Sequence, residues 1–229
     1  MAEDLSWLAR LLQVSDSAFP TGGYAHSAGF EQIVQLGLVR DAASLGDFLR
    51  LHAWPALIHF ELPVVRLAGE AARQTDVAGL LALDEIVEAT KGTAELRTAS
   101  RTMGQRRLHA LREIGATALP ADFVRAIETR ETPGHHAVIF GAGLAAMPLR
   151  AVLTAWAYQN LDQICLAAPK LLRIGSDAVQ RVLAGALAEM DRNVEASLAV
   201  QSADLGWFDP ALEIASMQHE IAHERLFIS

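Results

Sequence analysis

Cysteine is almost missing from this sequence of 229 residues, in which Cys165 is the single example. One cysteine cannot form an internal disulfide, and no cysteine pair exists at the spacing of a zinc site. A disulfide framework and a cysteine-based metal site are therefore excluded. The sequence predicts a reducing compartment and a buried, apolar role for Cys165.

Basic residues and long apolar runs are also scarce. The net charge is −8, from 19 Lys and Arg against 27 Asp and Glu, which argues against broad binding to nucleic acid or anionic membranes. The longest uncharged apolar stretch, residues 137–149, is shorter than the roughly 20 residues that span a bilayer. Because the start, Met1-Ala2-Glu3-Asp4, is acidic where a signal peptide is basic, we expect a cytoplasmic protein with neither nucleic acid nor membrane as a partner.

Aromatic residues make up only 6% of the chain, and the 52% of hydrophobic residues are mostly Ala and Leu. Such a composition favours helices over strands, and no segment alternates as a strand would. We predict an all-α fold: one domain over residues 1–229, a bundle of about eight to ten helices. A flexible N-terminal start and a C-terminal docking tail over residues 203–229 complete this prediction.

Turn and capping residues predict where several helices begin and end. Apolar spacing predicts a first helix over about residues 4–14, and Ser27 can cap a second helix that Gly37 closes. Pro55 and Pro63 lack an amide donor, so residues 44–72 are expected to divide into two or three short helices. Residues 136–147 are rich in Gly and Ala, which predicts a central helix with close neighbours.

An HExxH string, His219-Glu220-Ile221-Ala222-His223, lies near the end of the sequence. On a helix it would place two imidazoles one turn apart, with Glu220 activating a zinc-bound water, as in zinc metallohydrolases. Too few residues follow His223 for a downstream third ligand, and an upstream ligand such as His135 or Glu31 has no motif to support it. Zinc hydrolysis therefore stands as the alternative function.

Other catalytic constellations are missing. No GxxxxGK[ST] loop exists for phosphates, and Gly22-Gly23 lacks the strand-to-helix setting of a phosphate cradle. The basic run of Arg97, Arg101, Arg106, Arg107 and Arg112 is typical of a solvated helix face, with an acidic protein partner as the other interpretation. These observations favour an interaction protein over an enzyme, without a cofactor of its own.

Five segments in order carry a family resemblance over almost the whole chain. They are Leu11-Leu12-Gln13 with Phe19-Pro20-Thr21-Gly22-Gly23-Tyr24 and Ser27-Ala28-Gly29-Phe30-Glu31; Glu95-Leu96-Arg97 with Ala99-Ser100; His136-Ala137-Val138-Ile139-Phe140-Gly141; Lys170 to Ser176; and the tail from Pro210 to Glu220 and Arg225 to Ser229. The sequence thereby resembles the urease accessory protein UreF family. In that pattern His219 and Glu220 belong to the shared tail, whereas His223 falls at a variable position.

The resemblance implies an all-helical homodimer that binds a UreD/UreH-type accessory protein and recruits the GTPase UreG, supporting nickel delivery to apo-urease. It also implies two sets of partner-binding residues. The tail set, expected to order on the UreD-type partner with Leu226 and Phe227 as apolar anchors, is Pro210, Met217, His219, Glu220, Arg225, Leu226 and Phe227. The set expected to meet the GTPase is Tyr24, Ser27, Glu31 and Lys170, although Ser27 could simply cap its helix and Tyr24 could pack in the dimer contact.

Overall fold

The computed structural model describes residues 5–27, 29–222 and 225–228. Within these ranges all regular secondary structure is helical, in α-, π- and 3-10 segments, and there is no strand. The all-α prediction is confirmed. The α-helices are α1 (Ser6–Ser15), α2 (Phe30–Gln35), α3 (Ala42–Phe48), α4 (Trp54–Ala56), α5 (Leu62–Arg73), α6 (Val77–Thr90), α7 (Ala94–Glu113), α8 (Ala121–Glu128), α9 (His136–Gly143), α10 (Leu149–Leu171), α11 (Ser176–Leu187), α12 (Met190–Leu198) and α13 (Pro210–Glu220). The expected flexible start falls mainly on residues 1–4, which lie outside the described residues.

The segment from Ala42 to Arg73 is one continuous helix, so the predicted division at the prolines is wrong. Two π-helical turns, Leu49–Ala53 and Leu57–Glu61, join α3, α4 and α5. The amide of Trp54 donates to the carbonyl of Leu49, and that of Leu62 to the carbonyl of Leu57. Proline follows each of these amides, and the wider π-turn makes room for a ring that would collide with an α-helical carbonyl.

The second helix begins and ends close to the predicted residues. The hydroxyl of Ser27 accepts a hydrogen bond from the amide of Glu31 at 3.3 Å. Gly29, with φ +82°, forms the left-handed N-cap of α2, and Gly37, with φ +71°, follows its end. Since L-residues rarely adopt such angles, both positions favour glycine.

Helix α9 lies in the centre of the hydrophobic core, as its small residues predicted. Ala137 to Gly143 are buried, and α9 packs against α5 and α7. A methyl group at Gly141 would overlap the carbonyl of Val65, and one at Gly104 would overlap the carbonyl of Gly134. The glycines therefore set how closely these three helices approach. Among the described residues, no helix is both long and apolar enough to cross a membrane.

A buried polar network fixes the entry to α9. The fully buried carboxylate of Asp84 accepts hydrogen bonds from the hydroxyl of Thr132 at 2.6 Å and from the amides of Gly134 and His135 at 2.7 and 2.8 Å. The ring of His135 bonds to the Ser100 hydroxyl at 3.0 Å and to Glu88 at 2.8 Å. The loop before α9 is thus tied to α6 and α7 through side chains.

Candidate functional site: the C-terminal segment and its acidic receptor

The C-terminal segment, residues 206–228, begins at a well-formed helix cap. The carboxylate of Asp209 accepts from the amides of Ala211 and Leu212 at 3.1 and 3.2 Å, and Pro210 occupies the first turn of α13. The other carboxylate oxygen of Asp209 lies 2.5 Å from Nδ1 of His52. A residue of the first π-turn therefore positions the residue that starts α13.

His219, at the end of α13, is fully buried between two carboxylates. Its Nε2 lies 3.0 Å from Glu31, and its Nδ1 lies 3.0 Å from Glu95. Both ring nitrogens are therefore engaged by carboxylates, and these two contacts anchor the end of α13 to α2 and α7.

Glu31 binds the C-terminal segment at more than one point. The residue is 1% exposed. Besides His219, it accepts from the backbone amides of Leu226 and Phe227 at 2.8 and 3.1 Å. One buried carboxylate thus satisfies three donors from two stretches of the segment. Such charge-assisted hydrogen bonds are among the stronger ones in proteins.

Glu95 completes this acidic receptor, which we define as the carboxylates of Glu31 and Glu95. It receives the guanidinium of Arg225 at 3.0 Å in addition to His219. The amide of Ile228 then donates to the carbonyl of Ala25 at 2.8 Å. Residues 225–228 therefore run beside the loop that precedes α2.

Phe227 packs inward, while the neighbouring Leu226 points to solvent. Phe227 is 6% exposed, belongs to the core cluster, and lies under the ammonium of Lys170 at 5.2 Å from the ring centre. Leu226 is 71% exposed. Of the two expected apolar anchors, Leu226 alone is free for a partner in this conformation.

The expected GTPase-contact residues divide in the same way. Tyr24 is 72% exposed in the 3-10 turn Gly23–Ala25, and Lys170 is exposed near the end of α10. Ser27 and Glu31 are buried and face the protein interior. In this conformation Tyr24 and Lys170 offer a contact surface, whereas Ser27 and Glu31 shape the structure beneath it.

An outer apolar face covers the solvent side of the C-terminal segment. It consists of Phe208, Ile214, Met217, Ile221, Leu226 and Ile228, each more than half exposed. Ile214, Met217 and Ile221, the residue that follows α13, recur at helical spacing, so they share one side. Pro210 and Glu220, two further expected contact residues, are also exposed. Exposed apolar side chains gathered on one short segment in this way are typical of a surface that binds another protein.

The described part of the HExxH string does not continue as the helix that the zinc motif requires. Helix α13 ends at Glu220, before the second histidine of the motif, and His223 lies outside the described residues. Both ring nitrogens of His219 face carboxylates. The suggested upstream ligand His135 is similarly engaged, with Ser100 and Glu88. No group of three metal-ligating side chains occurs in the ranges that the structure describes.

The arginines of α7 do not form a single basic face, contrary to the simplest interpretation of their run. Arg101 and Arg112 pair with Glu88 and Glu128. Arg97 donates to backbone carbonyls at 2.6 and 2.7 Å, and Arg107 is 2% exposed. These four guanidinium groups therefore form ion pairs, hydrogen bonds or buried contacts within the protein.

Sequence reasoning missed the histidines that hold the start of the C-terminal segment. His52 contacts Asp209, while the ring of His59 stacks on Trp207 with centres 5.4 Å apart. The carbonyl of His59 also accepts from the amide of Gly206 at 3.2 Å. Their seven-residue separation, about two turns of an α-helix, was a faint signal that they could share a face.

Comparison with known proteins identifies sequences similar to this one along its full length. The profile of the UreF family matches residues 39–187. A urease accessory protein UreF from Azoarcus sp. (strain BH72) is 34% identical, covering 97% of this chain and 95% of the relative. Proteins of the same name from Paenarthrobacter aurescens (strain TC1) and Arthrobacter sp. (strain FB24) are 32% and 31% identical, with at least 96% of each chain covered.

Proposed function

The chain belongs to the UreF family of urease accessory proteins, and on this premise we propose that it is a non-catalytic scaffold for nickel insertion into apo-urease. It bridges a UreD/UreH-type accessory protein and the GTPase UreG in the cytoplasm, and it works as a homodimer. GTP hydrolysis and the handling of nickel reside mainly in its partners. Nickel is the cargo of this assembly rather than a resident cofactor of the chain.

The observation that carries the proposal is that the C-terminal segment exposes the outer apolar face while its inner side is bound to the rest of the protein. Six large apolar side chains there are more than half exposed, while the acidic receptor and Phe227 hold the segment in place. A pre-ordered apolar surface loses less conformational entropy on binding than a free tail would. We assign this face to the UreD-type partner, with Met217 and Leu226 as its contacts.

His219, Arg225 and Phe227 take a different role within the same proposal. They fasten the segment to the body, so their loss would disorder the outer apolar face without touching the partner. Pro210 starts α13, and Glu220 lies at the rim of the face as an exposed polar contact.

The GTPase surface is proposed around Tyr24 and Lys170. Both side chains are exposed, and Lys170 covers Phe227 of the fastened segment. GTPase recruitment would thereby respond to the position of the C-terminal segment. Ser27 and Glu31 contribute from beneath, by shaping the loop before α2.

The first test is co-purification with the UreD-type partner. We expect Met217→Asp with Leu226→Asp to weaken this complex by at least about tenfold, because each change buries a charge in an apolar contact. Leu12→Asp, at another exposed leucine, is the matched control and should bind as wild type. If deletion of residues 210–229 left the complex intact, the tail assignment would be wrong.

The second test addresses the GTPase. Lys170→Glu and Tyr24→Ala should reduce UreG recruitment and urease activation while the UreD-type complex persists. Arg181→Glu, an exposed charge reversal on α11, controls for net charge. Unchanged recruitment in both variants would remove this surface from the proposal, and a monomeric mass in solution would remove the homodimer.

A further inference from the structure

Arg107 is an interior cation without an anionic partner. Its side chain lies at the crossing of α7, α9 and α10 and is 2% exposed. Its hydrogen bonds run to three neutral acceptors: Nε2 of His136 at 2.8 Å, the carbonyl of Val14 at 2.8 Å and Oε1 of Gln159 at 3.2 Å. The guanidinium also lies over the rings of Phe19 and Phe140. No described carboxylate forms an ion pair with it.

This arrangement leaves part of the guanidinium unsatisfied. Arginine carries five N–H donors, and three donate to the acceptors above. Burying a charge without a counter-charge is costly. Burial lowers the pKa of Arg107 to about 9, which reflects the same cost. An anion beside the guanidinium would offset it.

A cavity of about 370 Å³ reaches Arg107 from the surface. It is far larger than the roughly 30 Å³ that a water molecule takes up. Lys170 lines the cavity and forms no ion pair with a described carboxylate. The hydroxyl of Ser15, another lining residue, is buried without a hydrogen-bond partner. Arg107, Lys170 and Ser15 therefore all bring hydrogen-bond donors to this cavity.

Two carboxylates also line the cavity. Asp16 is exposed, and its side chain accepts from the amide of Ala18 at 2.7 Å. Asp162 is partly buried, and burial together with Asp16 raises the pKa of its carboxyl. These groups oppose an anion, so their removal should strengthen binding, a sign opposite to that expected for the loss of Lys170.

We propose that this cavity is a binding site for one small oxyanion, held by Arg107 at its inner end, Lys170 at its outer part and the hydroxyl of Ser15. The planar guanidinium presents paired N–H donors that match the oxygens of phosphate, sulfate or bicarbonate. Phe227 of the C-terminal segment lines the same cavity. The site does not depend on the proposed scaffold function, because it lies within one chain.

The experiment measures binding to the full-length chain without partners. Isothermal titration with inorganic phosphate, sulfate and bicarbonate at constant ionic strength, with chloride as reference, should give saturable binding of one anion per chain. Lys170→Gln should weaken it about two- to fivefold, and Asp162→Asn should tighten it by a similar factor. The exposed pair Arg181→Gln and Asp177→Asn supplies charge-matched controls, which should bind as wild type.

Selenate gives an independent readout of position. A crystal grown or soaked with it should show one anomalous peak within hydrogen-bond distance of the Arg107 guanidinium. Binding that does not saturate, a selenate peak elsewhere, or equal affinities in Lys170→Gln, Asp162→Asn and wild type would each overturn the proposal. Since the two rim variants leave the core unchanged, the test stands even if Arg107→Gln fails to fold.

Discussion

The carboxylate of Glu31 is the residue on which the docked position of the C-terminal segment most depends. It accepts from the ring of His219 and from the amides of Leu226 and Phe227. All of these groups are more than 180 residues away in sequence, so their attachment closes a very long loop. The contact is also buried, where a lost acceptor leaves several donors unsatisfied.

Glu31→Gln should therefore release the segment. The amide NH₂ would face donors, and the expected loss in the free energy of unfolding is about 2–4 kcal/mol. Urea denaturation measures this loss, and amide hydrogen exchange at Leu226 and Phe227 should become fast. The same substitution at exposed Glu220 is the control and should change stability by less than about 0.5 kcal/mol. Slow exchange at residues 226 and 227 in Glu31→Gln would contradict this prediction.

His136 makes the stability of the fold depend on pH. Burial, together with the nearby cation of Arg107, lowers the pKa of His136 well below the 6.5 of a free imidazole. Below pH 6.5 the unfolded chain therefore binds a proton that the folded chain resists, and stability falls as the pH falls. This group contributes at most about 1.4 kcal/mol per pH unit.

His136→Gln keeps an acceptor for Arg107 and should flatten the stability profile between about pH 6.5 and 5. Urea denaturation at several pH values measures the slope. The matched control is His109→Gln, at an exposed position of α7, which should retain the wild-type slope. An unchanged slope in His136→Gln would show that other groups set the acid sensitivity.

At this scale the sequence predicted part of the site. Glu31 and His219 were identified through the family resemblance, but their mutual contact was not, because nothing in local spacing joins residues 188 positions apart. Glu95 appeared in a matching segment without a role. Arg107 was grouped with exposed arginines, since four of the five do reach the surface or its polar groups, and burial depends on packing between helices.

At the scale of elements, the approach of α5, α7 and α9 depends on glycine. Gly141→Ala should destabilise the protein by about 3 kcal/mol or more, because the methyl group would overlap the backbone carbonyl of Val65. Gly185→Ala is the matched comparison on the exposed side of α11, where nothing lies within 4 Å of the added methyl. It should stabilise by about 0.5–1 kcal/mol. Thermal or urea unfolding distinguishes the two, and equal effects would contradict the packing argument.

Helix boundaries were predictable where capping chemistry is local. The end at Gly37 and the central position of α9 were confirmed. The cap was predicted two residues too early, since Gly29 is the N-cap of α2 and Ser27 accepts from the amide of Glu31 without occupying the cap position. The division predicted at Pro55 and Pro63 was wrong because a missing amide donor was taken as the end of a helix. A π-turn provides another solution, but its choice depends on tertiary packing that a single segment does not encode.

At the scale of the whole molecule, the C-terminal segment is attached to a body that has its own core. Among the described residues from 210–222 and 225–228, Ala215 and Phe227 belong to the buried core cluster. The chain ending at residue 208 should therefore still unfold cooperatively, with the helical signal reduced by little more than the length of α13. Circular dichroism and urea denaturation test this expectation, and a non-cooperative transition would mean that the segment is part of the core.

Composition was sufficient for the all-α class, because an Ala- and Leu-rich chain without strand alternation has few other ways to fold. The segment 203–229 was predicted as a tail, and residues 210–220 of it form a helix docked onto the body. Eleven helices are present in the described ranges if α3 to α5 count as one, close to the expected number. The docked position rests on contacts between distant parts of the chain, which local patterns do not specify.

The two π-turns between Ala42 and Arg73 also determine where this helix can change in length. Each holds one residue more than an α-turn, so losing a single residue there would leave an α-turn and keep the helix beyond it in nearly the same orientation. A residue lost between Leu62 and Gly69 would instead rotate Gly69 by about 100°, away from Gly141, against which it packs. Relatives that retain this helix pair should therefore place any one-residue gap between residues 49 and 61, and should lack the proline that the lost π-turn accommodates.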